Sequence, residues 1–251
     1  MRGEPVNGRV CLVGAGPGDP ELLTVRAARL LAEADAVLHD RLIPPEILAL
    51  ARPGAEIIDV GKEEGQQESV QLRIHALLED CVRRYSLVVR LKSGDPFVFG
   101  RGAEEWAWLA ARGFTVEIVP GVSSALAVAA LQGIPPTCRG FASGFAVVTG
   151  HQAVDDSGFW RRYAGVDTLI ILMGVRNRAA IAAALIAAGR RGLEPVAFIE
   201  NGSTPRERVV LSDLNTVAAG QVEVHAPAIF VAGDVVHCRE LLLPALAEMV
   251  A

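Results

Sequence analysis

The sequence predicts an α/β protein of two α/β domains, the first on a mostly parallel sheet and the second on a mixed one. Three observations carry this. Short apolar, β-branched runs alternate with amphipathic stretches throughout the chain up to residue 120, the pattern of strands laid parallel and joined by helices. Beyond that point, two strand-like runs are separated only by a turn containing Asn201-Gly202 and Pro205, which reads as a hairpin and therefore as an antiparallel pair. Finally, 51% of the 251 residues are apolar and 21% charged, enough for a sizeable core. The boundary falls near residue 120, giving domains 1–120 and 121–251.

Taken in order, residues 9–13 (RVCLV) read as the first strand, and 21–34 as a helix with Leu22, Val25, Ala28 and Leu31 near one face. A brief strand at 36–38 precedes a turn and a helix near 45–50. Residues 56–60 (EIIDV) form a third strand and 70–84 a helix with Leu72, His75, Ala76 and Leu78 in register. A fourth strand at 86–91 (SLVVRL), a helix at 103–112 and a fifth strand at 115–119 complete the first half. In the second half, 122–131 is an Ala-rich helix and 133–144 is punctuated by Gly and Pro. Strands follow at 145–149 and 168–173 (TLIILM), a helix at 178–188, and strands at 195–200, 207–211 and 228–232, with a short helix near 212–219.

Composition excludes several classes. No apolar run reaches the roughly 18 residues that a membrane helix needs. The opening MRGEPVNGRV lacks the basic-then-apolar pattern of a secretory signal, so the expectation is a cytoplasmic protein. A net charge of −5 argues against a nucleic-acid binder that relies on a basic face. The four cysteines and five histidines are scattered with no metal-ligand spacing, so neither a zinc site nor a disulfide framework is signalled. Of the 24 basic residues only Lys62 and Lys92 are lysines. Lysine is the cation whose protonation responds to burial, whereas arginine stays charged.

Ligands of open α/β sheets collect beyond the carboxyl ends of the strands, and here those ends carry the unusual sequences. The first strand runs into Gly14-Ala15-Gly16-Pro17-Gly18-Asp19. This is no dinucleotide fingerprint, because Asp19 replaces the third glycine and Pro17 removes a backbone donor. It reads as a rigid wall for a ligand, with Asp19 also serving as a helix cap. The second strand ends at Asp40, the third at Gly61-Lys62, and the fourth in Lys92-Ser93-Gly94-Asp95-Pro96-Phe97-Val98-Phe99-Gly100-Arg101. A lysine at the rim of a cleft with two carboxylates nearby is a credible acid–base set, and a plain ionic network is the competing reading. The fifth strand ends in Pro120-Gly121-Val122-Ser123-Ser124. In the second half, Met173-Gly174 and Asn201-Gly202-Ser203 are again glycine-rich strand ends.

The ordered set VGAGPGDPELLT, LHDRL, VGK, VVRLKSGDPFVFGRGAEE, VEIVPGVSSALAVAALQGIPPTCRG, VTGH, TLIILMGV, PVAFIENGSTPRERVV and PAIFVAGDVV resembles the uroporphyrinogen-III C-methyltransferases of the tetrapyrrole methylase family, from about Val10 to Val236. The resemblance implies the tetrapyrrole methylase fold, a homodimer, and S-adenosylmethionine bound in a cleft between the two domains, leaving as S-adenosylhomocysteine, with no metal. It implies methylation of two pyrrole carbons of the small-molecule tetrapyrrole uroporphyrinogen III, giving precorrin-2 for sirohaem or cobalamin synthesis. It makes Asp40 the proton acceptor and Lys62 the proton donor. Its cofactor contacts are Pro17, Ser93, Gly94, Asp95, Val98, Ser123, Ser124, Met173, Gly202 and Ala228. The eight carboxylates of the substrate call for arginine, and Arg101 and Arg139, on glycine-flanked loops, are the expected clamps.

The chain departs from the family pattern at three places. Lys62-Glu63-Glu64-Gly65-Gln66-Gln67-Glu68-Ser69-Val70-Gln71 replaces a stretch usually carrying Arg, His and Pro. Ser93 stands for a glycine, and Cys138 for a histidine before Arg139. Other readings share parts of the pattern: a methyltransferase of the same fold acting on a later precorrin, an RNA or protein methylase, and a non-catalytic cofactor-binding module. The last of these has no need of the Asp40/Lys62 pair.

Overall fold

The computed structural model describes residues 8–61, 67–151 and 157–243. The chain divides into two compact units, Met1–Ser123 and Ser124–Ala251. The first contains β1 (Arg9–Gly14), α1 (Val25–Glu33), β2 (Ala36–His39), α2 (Pro45–Leu48), β3 (Glu56–Asp59), α3 (Gln67–Arg84), β4 (Leu87–Lys92), α4 (Gly102–Ala110) and β5 (Thr115–Val119). Its five strands are all parallel, in the order β3-β2-β4-β1-β5. One face packs Cys11, Val13, Val89 and Leu91 against Leu30, Leu31 and Ile47 of α1 and α2. The other packs Val10, Leu12 and Val88 against Ile74, Leu78 and Leu109 of α3 and α4. Alternate residues of one strand therefore serve opposite cores, as the period of two requires.

The second unit contains α5 (Ser124–Leu131), β6 (Phe145–Thr149), α6 (Ser157–Arg161), β7 (Thr168–Leu172), α7 (Arg178–Ala187), β8 (Pro195–Glu200), β9 (Arg208–Asp213), α8 (Leu214–Ala218) and β10 (Ala228–Ala232). The sheet order is β6-β7-β10-β8-β9, and only the β6–β7 pair is parallel, so the sheet is mixed. β8 and β9 form the expected hairpin, with Glu200 opposite Arg208. Phe198 and Phe230 pack ring on ring at the sheet centre, 4.5 Å between centroids. Burying each such side chain contributes about 1.5–3 kcal/mol.

Two expectations shift for identifiable reasons. The helix expected over 21–34 is broken. Asp19 caps a single 3-10 turn, Pro20–Leu22, by accepting from the Glu21 N–H at 2.8 Å. Leu23 is then extended, and Thr24 starts α1 by accepting from the Ala27 N–H at 3.1 Å. Two caps in six residues outweigh the apolar periodicity. The five-residue α6 was not anticipated, since it is too short to display a helical repeat. Among the described residues no helix is long and apolar enough to cross a membrane.

Candidate functional site

In the first unit the chain leaves β1 toward β2 on one side and leaves β4 toward β5 on the other. β1 and β4 are neighbours, so their carboxyl ends flank a point where the connections diverge, the place at which open sheets bind ligands. The loops after these strands are locked together. Gly94 donates to the Gly16 carbonyl at 2.8 Å, and Gly16 returns a bond to the Gly94 carbonyl at 3.2 Å. Gly16 (φ 71°) and Gly94 (φ 67°) are both left-handed, which favours glycine. Backbone approach is closer still at Gly14 and Gly121. A Cβ on Gly14 would lie 2.5 Å from the Gly121 Cα, and one on Gly121 would lie 2.3 Å from the Gly94 carbonyl oxygen.

Asp95 fastens this junction. One carboxylate oxygen accepts from the Phe97 N–H at 2.8 Å, and the other from the Gly121 N–H at 3.0 Å. The segment leading to Ser123 is thereby tied to the loop carrying Ser93, Gly94 and Val98. Pro17, Ser93, Val98 and Ser123 are half-buried around the same ends. Bare glycine backbone beside a carboxylate fits a ligand that combines a flat nucleoside with a cationic centre.

Asp40 follows β2 and is reached from β4. Its Oδ1 accepts from Arg90 Nη2 at 2.5 Å, and the Ser93 N–H adds a backbone bond. Burial acts to raise this carboxyl, but Arg90 and Lys92 outweigh it and hold Asp40 below the usual carboxylate range. Burial, and next the Arg90 cation, push the Lys92 ammonium down. Lys62, the expected proton donor, lies outside the described residues.

In the second unit, Ile171 of β7 stands opposite Phe230 of β10, and Ala228 of β10 opposite Glu200 of β8. Met173, Gly202 and Ala228 therefore fall at one end of that sheet. The loop carrying Gly202 also touches α5, the helix that begins at Ser124, because a Cβ on Gly202 would lie 2.2 Å from Val128 Cγ1. Among the described residues, five that are not glycine have positive φ: Phe99, Arg101, Met173, Asn201 and Ser203. All sit in loops after β4, β7 and β8. Strain of this kind persists where the surrounding structure over-determines the backbone, and it clusters at ligand sites.

Of the expected clamps, Arg101 starts α4 and forks onto Glu104, with Nε–Oε1 at 2.9 Å and Nη2–Oε2 at 2.5 Å. Arg139 is exposed on the tight turn closed by the Cys138–Ala142 bridge. Two residues escaped the sequence reading: Arg90 and Glu105, buried charges beside Lys92. The signal was a charged pair inside a central parallel strand.

Residues 9–218 match the family model of the tetrapyrrole (corrin/porphyrin) methylases. The chain is 44% identical over 247 residues to the sirohaem synthase of Pseudomonas putida strain W619, covering 96% of this chain but 53% of that protein, so it spans about half the length of the curated relatives it matches. Among solved structures, the uroporphyrin-III C-methyl transferase of Thermus thermophilus, complexed with S-adenosyl homocysteine, superposes with a TM-score of 0.81 at 50% identity, covering 91% of this chain and 93% of that one. A cobalt precorrin-4 methyltransferase of cobalamin synthesis superposes with a TM-score of 0.77 at 25% identity, covering 91% and 96%.

Proposed function

The chain belongs to the tetrapyrrole methylases, and from that premise we propose that it methylates uroporphyrinogen III at two pyrrole carbons, giving precorrin-2 by way of precorrin-1 for sirohaem or cobalamin synthesis. The observation that carries the choice of substrate is the twofold margin in identity between the uroporphyrin-III and precorrin-4 enzymes at equal coverage of this chain. S-adenosylmethionine, when bound, supplies an already activated methyl group. The residues that would hold it in the first unit are Pro17, Ser93, Gly94, Asp95, Val98 and Ser123, and in the second unit Ser124, Met173, Gly202 and Ala228.

The chain's own contribution to the chemistry is alignment and proton handling. Methyl transfer to a neutral ring carbon leaves the macrocycle with a positive charge, which is discharged when a proton departs. Asp40, kept ionised by Arg90, takes that proton in this reading, and a proton that Lys62 gives to the ring is matched by a second one leaving another ring carbon, so the methylated product stays neutral. Arg101 and Arg139 bind substrate carboxylates, with Arg101 shared between the substrate and Glu104. The same reading makes the protein a cytoplasmic homodimer.

Anaerobic incubation with S-adenosylmethionine and uroporphyrinogen III, read by mass spectrometry, tests this directly. Two added methyl groups are expected. Retention of the methyl donor without methylation of this substrate would overturn the assignment.

A further inference from the structure

The centre of the first sheet breaks a packing rule. β4 lies between β2 and β1 with all six residues buried, a setting that ordinarily reads as an unbroken apolar run. Arg90 and Lys92 occupy two of those positions. Being two and four residues on from Val88, they share the face that Val88 turns toward α3 and α4. From the other side, α4 buries Gly102, Glu105 and Leu109, so helical periodicity delivers Glu105 to the same interior.

Glu105 meets both cations. Its Oε1 accepts from Lys92 Nζ at 2.9 Å, and its Oε2 stands 3.3 Å from Arg90 Nε. Arg90 Nη1 is taken up by the Leu91 carbonyl at 3.1 Å and the Leu38 carbonyl at 3.4 Å, while Nη2 donates to Asp40 Oδ1 at 2.5 Å and, at the longer 3.4 Å, to Glu105 Oε1. The Arg90, Lys92 and Glu105 side chains are 1–2% exposed, whereas that of Asp40 is 31% exposed. Three members of the set are shut in, and the fourth reaches solvent at the carboxyl end of β2. Two cations meet two carboxylates, so charge closes within the set. From α3, Gln71 Nε2 approaches Glu105 Oε1 at 3.3 Å.

We propose that Glu105 is a positioning residue for the methyl transfer: by gripping Arg90 and Lys92 from α4, it aims the Arg90 guanidinium at Asp40 and so fixes where the proton-accepting carboxylate stands. The proposal rests on the reading of Asp40 as the proton acceptor. Two features set it apart from an ionic filler. Arg90 Nε and Glu105 Oε2 are ion-paired without a hydrogen bond. A filler pair would dock fork to fork at about 2.7–2.9 Å, whereas here the guanidinium meets the two Glu105 oxygens only at 3.4 Å (Nη2–Oε1) and 3.3 Å (Nε–Oε2), and its short bond, 2.5 Å, goes to Asp40. Well-packed apolar side chains would also serve stability as well as this set or better.

The test is a double-mutant cycle in single-turnover methylation of uroporphyrinogen III. Glu105→Gln should slow turnover by about 10²-fold, the effect of a 1 Å misplacement, with S-adenosylmethionine binding unchanged. On an Asp40→Asn background the same substitution should cost nothing further. Losses that add would mean that Glu105 only holds the fold together, and would overturn the proposal while leaving the role of Asp40 intact. Glu105→Asp keeps the charge, withdraws the carboxylate by one methylene, and runs the same cycle should Glu105→Gln fail to fold. It too should lose turnover, and full activity there would count against the proposal. Full activity in Asp40→Asn alone would remove the underlying reading, and the proposal with it.

Discussion

Each unit buries a guanidinium–carboxylate pair, and the two pairs are built differently. In the second unit, Arg190 is held by Glu194 four residues on, with Nε–Oε2 at 2.9 Å. Its Nη1 donates to the Tyr163 and Val166 carbonyls at 3.2 and 2.7 Å. That pair ties off a loop, and the guanidinium is well supplied with partners. In the first unit, Arg90 leaves its Nε without a hydrogen bond, while Nη2 makes a short bond to the partly exposed Asp40 and only a long one to Glu105. A buried charge whose hydrogen bonds are satisfied internally needs no further explanation, whereas an unmade buried bond calls for one, and in the proposed reading the explanation is that Arg90 serves Asp40. The comparison also shows why a buried ion pair alone says little about function.

The contrast can be broken most sharply at Asp40. Asp40→Asn should lower turnover by about 10²–10⁴-fold, the range for a lost general base, with methyl-donor binding retained in calorimetry. Arg190→Leu should do the reverse, costing about 3–5 kcal/mol in urea unfolding as Glu194 loses its partner, with turnover per folded molecule unchanged. A tenfold loss of turnover at full stability in Arg190→Leu would erase the distinction.

A pH profile sharpens it further. Asp40 lies below its usual value of 3.8 in the folded protein, so the stability it contributes is complete above 3.8 and is lost only as pH falls through the lower folded value. Arg90→Met removes the larger of the two cations' effects that oppose burial, so Asp40 should rise and the acid limb of the kcat profile should move upward. An unmoved limb would mean that Arg90 does not set the charge of Asp40.

Two smaller effects test the loops. Gly202→Ala forces a methyl against Val128 and should cost about 1–3 kcal/mol by overpacking, partly restored by Val128→Ala in thermal melts. Arg101→Ala should weaken substrate binding by roughly tenfold, the worth of one partly exposed charge-assisted contact, and leave methyl-donor binding alone. Equal loss of both would remove the clamp.

The loops were legible in the sequence because glycine, proline and aspartate cluster where strands end, and each of those residue types has a local backbone reason to be there. The sheets were legible for the same kind of reason, since both periodicities are short-range. The buried charges were not. Arg90 in SLVVRL reads as an ordinary strand residue, and Glu105 beside Glu104 reads as one of two solvated acids at a helix start. Only the pairing of β4 with β1 and β2, together with the turn of α4 that buries Glu105, assigns one acid to the interior and the other to the surface. Asp95 also carries a structural duty that the sequence did not display. Its two oxygens accept from the Phe97 and Gly121 N–H groups, a bond pattern set by loop closure.

The junction of Gly14, Gly94 and Gly121 has a mechanical consequence. Three segments far apart in the chain meet there at a separation that admits no side chain. Sliding one parallel strand past its neighbour by a single residue, about 3.3 Å, would bring a Cβ into the joint and exchange the two faces of the strand. The joint therefore works as an indexing pin. It blocks misregistered sheets during assembly and gives the loops after β1, β4 and β5 a common datum from which their side chains are measured.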